Sequence, residues 1–422
     1  GFMKRFGLII IAAVIFLGGI FPVLADPIKV VPFVFLKQEF SDNIHFSSNN
    51  EEEDFITTLT GGLAVKQKKE VMQAGFEARV DKLLYQDSDN LDSLDLFFSG
   101  NVNYRATERL GVGAKVQYSE DSRRDRESDT TGLLVSGDRN TRRFSVSSDY
   151  LFSETTKGDI SLGYGRVKTE ESGRVEDDDD FRVDISFSRN LSETYKNTTG
   201  LLNFSYLRYI SEIETTTMGP ILTGSLFQDN TSDIFQFSTG FSKDITQLYH
   251  IYFLVGGSYS KTTEGLRARQ TLTGSGIVLG EVVSADLDDD KWGGLVSMGL
   301  NYNGLYYDMG LSLSRDMQGA TGTNGTVQRS SISANIDRKI SDQFFLTLDA
   351  SLHLNENERK NQADTEELTF NIQPGIRYEF ANDLTLSCVY KFTSVEDRQN
   401  KSTREQNIIY VVIKKEFELL TL

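Results

Sequence analysis

The stretch Phe344-Phe345-Leu346-Thr347-Leu348-Asp349-Ala350-Ser351-Leu352-His353-Leu354-Asn355 decides the fold. Phe344, Leu346, Leu348, Ala350, Leu352 and Leu354 fall on one face, and Thr347, Asp349, Ser351, His353 and Asn355 on the other. A period of two held over this length is a strand with one greasy and one wet side, and it excludes an amphipathic helix. Two further segments follow the rule. Leu94, Leu96, Phe98, Val102 and Tyr104 oppose Asp95, Ser99, Asn101, Asn103 and Arg105, while Leu384, Leu386, Cys388, Tyr390 and Phe392 oppose Thr385, Ser387, Lys391 and Thr393.

From about residue 33 onward the same unit repeats. It predicts eighteen strands, at 33–46, 54–66, 71–85, 92–105, 109–119, 141–153, 158–168, 180–190, 199–210, 230–243, 248–261, 291–302, 305–315, 327–339, 343–355, 367–380, 384–394 and 405–417. Merging two weak strands would give sixteen. Breaks after even strands are short, as at Asn303-Gly304 and Ser341-Asp342, whereas 120–140, 211–229 and 262–290 are long breaks after odd strands. An even count with that alternation predicts an all-β transmembrane antiparallel up-and-down barrel, with short periplasmic turns and long acidic extracellular loops. Tyr and Phe gather near strand ends, among them Phe144, Tyr249, Tyr259, Tyr302 and Tyr378, where interfacial girdles belong.

Composition narrows the function. The chain has 422 residues, 38% of them hydrophobic and 11% aromatic, and a formal charge of −17. So many aromatics are not those of a disordered chain, and so acidic a chain is no partner for nucleic acid. Three His and one Cys exclude a disulfide framework, a thiolate metal site and a haem-attachment motif. Acid excess concentrates in the predicted outer loops, such as 47–54, 86–92, 169–180 and 262–290, leaving the remainder slightly basic.

Lys4 and Arg5 precede an apolar run from Phe6 to Leu24, which ends at Ala25 before Asp26. That pattern is read as a signal peptide over 1–25 rather than a membrane anchor, with 26–422 forming one barrel domain. No later apolar stretch approaches the length of a membrane helix, so a membrane-embedded mature chain must be a barrel. Outer-membrane lipid, lipopolysaccharide and the barrel-assembly machinery are the expected partners. The last of these would read the C-terminal strand with Ile409, Val411, Ile413 and Phe417.

The alternation turns Arg79, Asp95, Arg105, Lys115, Arg143, Asp149, Arg182, Asp184, Asp308, Asp337, Asp349, Arg377 and Lys391 toward the lumen. Near balance of sign predicts a weakly selective aqueous channel. Asp177, Asp178, Asp179 and Asp180, and Asp286 with Asp288, Asp289 and Asp290, offer oxygen ligands for a loop-bound Ca²⁺ or Mg²⁺, with a solvated acidic loop as the plainer reading. No other cofactor is expected. His353 shares a face with Ser351 and Asp349, which strand geometry alone produces, and nothing supplies an oxyanion hole. No enzyme activity is expected.

The opening Pro32-Phe33-Val34 through Phe40-Ser41-Asp42-Asn43-Ile44, with Asp54-Phe55-Ile56-Thr57 and Gly61-Gly62-Leu63, resembles the outer-membrane β-barrel porins associated with exopolysaccharide and exosortase systems. That resemblance implies the outer membrane of a Gram-negative bacterium, a role in exopolysaccharide traffic, and no catalytic residues. Three readings stand beside one another: a porin for small hydrophilic solutes, an exopolysaccharide conduit or accessory, and a structural or surface-binding barrel with a plugged lumen. Inward folding of 211–229, around Met218-Gly219-Pro220-Ile221-Leu222, would serve the third.

Overall fold

A computed structural model describes residues 28–123, 137–171, 173–218, 222–272, 278–283, 287–319, 326–357, 365–417 and 420–421. The expected signal segment 1–25 and Asp286 lie outside these residues. Eighteen strands form one closed antiparallel barrel. They are β1 (Ile28–Ser41), β2 (Asp54–Lys68), β3 (Met72–Tyr85), β4 (Ser93–Arg105), β5 (Leu110–Asp121) and β6 (Asp138–Leu151). Next come β7 (Thr156–Glu171), β8 (Arg174–Asn190), β9 (Thr198–Met218), β10 (Leu222–Asp244), β11 (Tyr249–Leu272) and β12 (Leu287–Asn303). The circuit is completed by β13 (Tyr307–Gly319), β14 (Thr326–Lys339), β15 (Phe344–Asn357), β16 (Thr365–Phe380), β17 (Leu384–Asp397) and β18 (Ser402–Glu416). Two short strands, Val278–Val283 and Leu420–Thr421, pair onto β11 and β1 outside the circuit.

Each strand pairs with its sequence neighbours, and β18 returns to β1 from Phe33↔Glu416 to Ser41↔Ile408. Closure leaves no strand edge, which a hydrocarbon surround requires because it offers no water to unpaired N–H and C=O groups. Following the pairing once around returns to β1 displaced by about 22 residues. With eighteen strands that shear tilts them by roughly 40° and gives a backbone diameter of roughly 35 Å.

One face of nearly every strand is apolar and exposed, including Val34, Leu36, Val146, Leu162, Phe237, Leu311 and Ile413. Rings border this band. Across β9 to β12, Tyr206, Phe235, Tyr259 and Trp292 follow one another with centroids 5.0, 6.5 and 4.8 Å apart. Near the short-turn end Tyr249 and Tyr302 meet at 4.8 Å. Trp292 and Tyr302 share β12 and lie about ten residues apart, which at this tilt separates the two girdles by roughly 25 Å, the height of a barrel's apolar band.

The expected long loops differ in kind from what the chain forms. Residues 169–171, 174–180, 211–218 and 222–229, and much of 262–290, are strand. β7 and β8 meet in a tight turn at Gly173, whose φ of +80° suits glycine, with Glu171 paired to Arg174. Strands β9, β10 and β11 run 21, 23 and 24 residues and rise past the ring girdle as a tall ladder. Above the girdle both faces are wet, so the apolar alternation stops while backbone pairing continues. Periodicity therefore reports the medium, and the strands outlast it.

At the long-loop end the β1–β18 seam carries a side-chain lock. Asp42 accepts from the Asn407 backbone N–H and from its Nδ2, both at 2.7 Å. The fully buried Asn43 donates to the carbonyls of Ser47 and Glu405, each at 2.8 Å, and Gln406 donates to the Asn43 carbonyl at 2.8 Å. On the neighbouring strand Asp54 accepts from the backbone N–H groups of Gln86, Asp87 and Ser88 at 3.0–3.3 Å, ordering the β3–β4 loop. Asp42→Ala leaves the Asn407 donors without their acceptor, and Asn43→Ala leaves the Ser47 and Glu405 carbonyls without their donor, each at a cost of about 1–3 kcal/mol. The folded band on an unheated detergent gel should then convert to the unfolded one at a lower temperature. An unchanged conversion temperature for both variants would mean that backbone pairing alone holds the seam.

Candidate functional site: the lumen and its infolded hairpin

Strand parity, carried around the closed register, assigns every residue to the lipid or the lumen side. Arg79, Asp95, Arg105, Lys115, Arg143, Asp149, Arg182, Asp184, Asp308, Asp337, Asp349, Arg377 and Lys391 all have lumen parity. Most are dispersed and engaged. Arg105 donates to Asp149 at 2.9 Å, Ser205 to Asp184 at 2.6 Å and Ser122 to Asp95 at 2.9 Å. Arg79 lies 4.1 Å from the Phe97 ring centroid and Arg377 lies 4.5 Å from that of Phe345. Asp308 and Asp337 are direct register partners. Ser351, in the arrangement that invites a hydrolase reading, accepts from Asn371 Nδ2 at 3.3 Å.

The described aspartates expected in loops lie in strands instead. Asp177, Asp178, Asp179 and Asp180 lie inside β8, so consecutive carboxylates point to opposite sides. Asp177 takes the Arg166 guanidinium, with Nε at 2.9 Å, and Asp179 accepts from the Tyr164 hydroxyl at 2.6 Å. Asp178 and Asp180 turn inward. Asp288, Asp289 and Asp290 are likewise split within β12: Asp288 accepts from Thr263 at 2.8 Å, and Asp289 lies 3.6 Å from Lys291. Among the described residues no group of three or more His, Cys, Asp or Glu could hold a metal ion.

What the parity does not foretell is the β13–β14 hairpin. The β12–β13 ladder stops at Val296↔Arg315, although β13 continues to pair with β14 as far as Gly319↔Thr326. Beyond Arg315 the hairpin leaves the wall and folds into the lumen, across the inner faces of β12, β11, β10 and β9. Met317 has the parity of the lipid-facing Leu311 and Leu313, yet it is 4% exposed and packs with the inward Leu207 and Ile234. Gln236 Nε2 donates to the Met317 carbonyl at 2.6 Å. Gln328 Nε2 donates to the Asp316 carbonyl at 3.0 Å and to that of Gly294 at 3.4 Å, the latter in the stretch of β12 that has lost its ladder partner. Glycines permit the approach. A Cβ at Gly293 would collide with Gln328 and Ser258, and one at Gly319 with the Tyr209 ring.

The hairpin faces a particular stretch of the opposite wall. A cavity of about 460 Å³ lies between Gln318, Gly319 and Arg329 on one side and Lys115, Arg143, Gly163, Asp180 and Arg182 on the other. Arg329 is held in place by donating to Asn355 at 2.9 Å and to Gln318 at 3.1 Å. On β7 the inward positions between Arg143 and Asp180 or Arg182 are Gly163 and Gly165, so the wall there is bare backbone. A Cβ at Gly165 would strike the Asp180 carboxylate, which leans over that gap. Phe144, Tyr164 and Phe181 are the outward neighbours of this inner lining, so the cavity stands level with exposed aromatics on the lipid side.

Of the thirteen lumen residues read from sequence, the structure brings Lys115, Arg143 and Arg182 to this cavity. Arg139, Gln318, Arg329, Tyr209 and the two glycines were not singled out by sequence reasoning. A usable signal existed: Met317 and Val327 are apolar residues in a stretch otherwise suited to water, and both are buried. Expected inward folding of 211–229 is not seen, because its described part belongs to the tall β9–β10 ladder.

No family model matches the chain, and no curated protein matches it. Solved structures do. The ferric-catecholate import receptor Fiu from Escherichia coli K12, in its closed form, aligns with a TM-score of 0.51 at 7% identity over 94% of this chain and 82% of that one. The ferric citrate transporter FecA gives 0.44 at 11% identity, covering 89% of this chain. The chain spans 61% of FecA's length. The alcaligin outer membrane receptor FauA from Bordetella pertussis gives 0.42 at 11% identity, over 92% and 76%. At these identities the similarity is one of fold. The chain has the fold of an outer-membrane β-barrel.

Met317→Ala removes the apolar anchor of the hairpin and should loosen it by about 2 kcal/mol. Limited proteolysis should then cut within 316–329 while the barrel keeps its heat resistance on detergent gels. Equal protease resistance in the variant and the wild type would contradict the anchoring role.

Proposed function

We propose that the chain forms an aqueous channel through the outer membrane and passes small hydrophilic solutes passively, with its bore set by the infolded hairpin rather than by the barrel. One observation carries this reading. The hairpin is pinned to the β9–β12 side, and across from it Lys115, Arg143 and Arg182 remain exposed on the inner wall. A lumen filled solid would bury those charges, and burial of three unpaired cations is too costly to be a packing device. An eighteen-stranded barrel of this shear has room for water beside one hairpin.

The reaction asked of the protein is diffusion, so no catalytic group is required. The tall acidic ladder of β8 to β12, with Asp229, Asp233 and Glu264 on its strands, gathers counter-ions at the mouth. Purified protein refolded into a planar bilayer should give stable open steps. Replacing 317–328 with a short Gly-Ser turn should raise the single-channel conductance by about twofold or more. A folded barrel that stays silent at all voltages would overturn the reading in favour of a plugged, structural role.

A further inference from the structure

We infer that the constriction is an anion-selective filter, with a subsite for solutes that bear a carboxylate or phosphate group, in a chain whose formal charge is −17. The inference rests on the channel reading and deepens it. Taken over the whole lumen, basic and acidic side chains are near balance, which is what the sequence alone suggests. Selectivity, however, is decided where the path is narrowest and the field is least diluted by water. In the gap that the hairpin leaves against the facing wall, the lining carries Lys115, Arg139, Arg143, Arg182 and Arg329 against Asp178 and Asp180.

The placement of these groups matters more than their number. Lys115, Arg143 and Arg182 make no hydrogen bond or ion pair among the described residues, unlike Arg105, whose guanidinium holds Asp149. Register places Lys115 beside Ser145, Ser145 beside Gly163, and Gly163 beside Arg182, so one ammonium and one guanidinium flank a bare glycine rung. Arg143 faces Gly165 on the next rung. The rung at Gly163 is left open between these donors, while at Gly165 the Asp180 carboxylate covers the bare backbone. Two guanidinium forks and an ammonium suit the bidentate geometry of carboxylate or phosphate oxygens. Asp180, leaning over Gly165, supplies the repulsion that keeps such a bound group exchangeable, as a transport site needs.

The test is the reversal potential of the full-length refolded protein in a planar bilayer under a potassium chloride gradient, followed by titration with inorganic phosphate and, separately, maltotriose. Wild-type channels should prefer chloride to potassium by about threefold or more. Phosphate should reduce the chloride current, and maltotriose should not do so at equal concentration. In the triple variant Lys115→Gln, Arg143→Gln and Arg182→Gln the preference should fall to unity or reverse, and half-block by phosphate should need about tenfold more ligand. Arg105→Gln, on the same inner wall but paired to Asp149, should change neither readout by more than a small factor. Open channels that prefer potassium, or a triple variant identical to wild type, would overturn the filter while leaving the channel standing. A silent wild-type barrel would remove the channel and the filter together.

Discussion

Everything in this molecule depends on closing the backbone ladder. In hydrocarbon an unpaired N–H or C=O has no water to turn to, so the last strand must find the first, and one strand pair decides whether seventeen others can exist in the membrane. The chain reinforces that pair at its exposed end. Ser41-Asp42-Asn43 and Asn407 interlock through side chains, and the buried Asn43 bridges the carbonyls of Ser47 and Glu405. Asp42-Asn43 and Asp54 also carry much of the resemblance noted in the sequence. Their geometry gives a physical reason for such a motif: one part locks the seam and the other orders the adjacent loop.

Lipid explains why so much of the barrel is legible in the sequence. Along β15 the medium on one side is hydrocarbon and on the other water, so Leu346 to Leu354 and Thr347 to Asn355 separate cleanly, and the strand count and facing follow. Where that contrast ends, legibility ends with it. Asp177 to Asp180 read as a loop because no alternation marks them, but the β7–β8 ladder continues through them to Gly173. The tall β9–β11 ladder was hidden for the same reason. Aromatics are the exception, since Tyr259 and Trp292 mark the upper boundary directly.

The constriction was legible in part. Lys115, Arg143 and Arg182 follow from parity, since the strands that carry them remain in the wall. Their common purpose does not, because it is created by a hairpin that breaks parity at Met317. A strand that leaves its neighbour loses ladder hydrogen bonds, and here Gln236 and Gln328 donate to carbonyls along the departing edge. Such compensation is set by distant residues and leaves no periodic trace. The polar balance of the whole lumen likewise conceals a local excess of cations, because an average over the inner wall weights the gap beside the hairpin no more than the rest of the wall.

A single-cysteine scan from Tyr307 to Gly319 shows whether β13 and β14 turn into the lumen above Arg315. The scan would be made in a Cys388→Ser background with the protein in liposomes, using a charged, membrane-impermeant thiol reagent. Reactivity should alternate up to Arg315, with 308, 310, 312 and 314 reactive and 309, 311 and 313 protected by lipid. Past Arg315 the cover should change from lipid to protein: Met317→Cys should be shielded by Leu207 and Ile234 inside the barrel, and Ile234→Ala should make it reactive while 309, 311 and 313 stay protected. A Met317→Cys that reacts freely without that change, or that stays as protected as 311 and 313 with it, would mean that the hairpin stands upright in the wall and that the lumen is not narrowed by it.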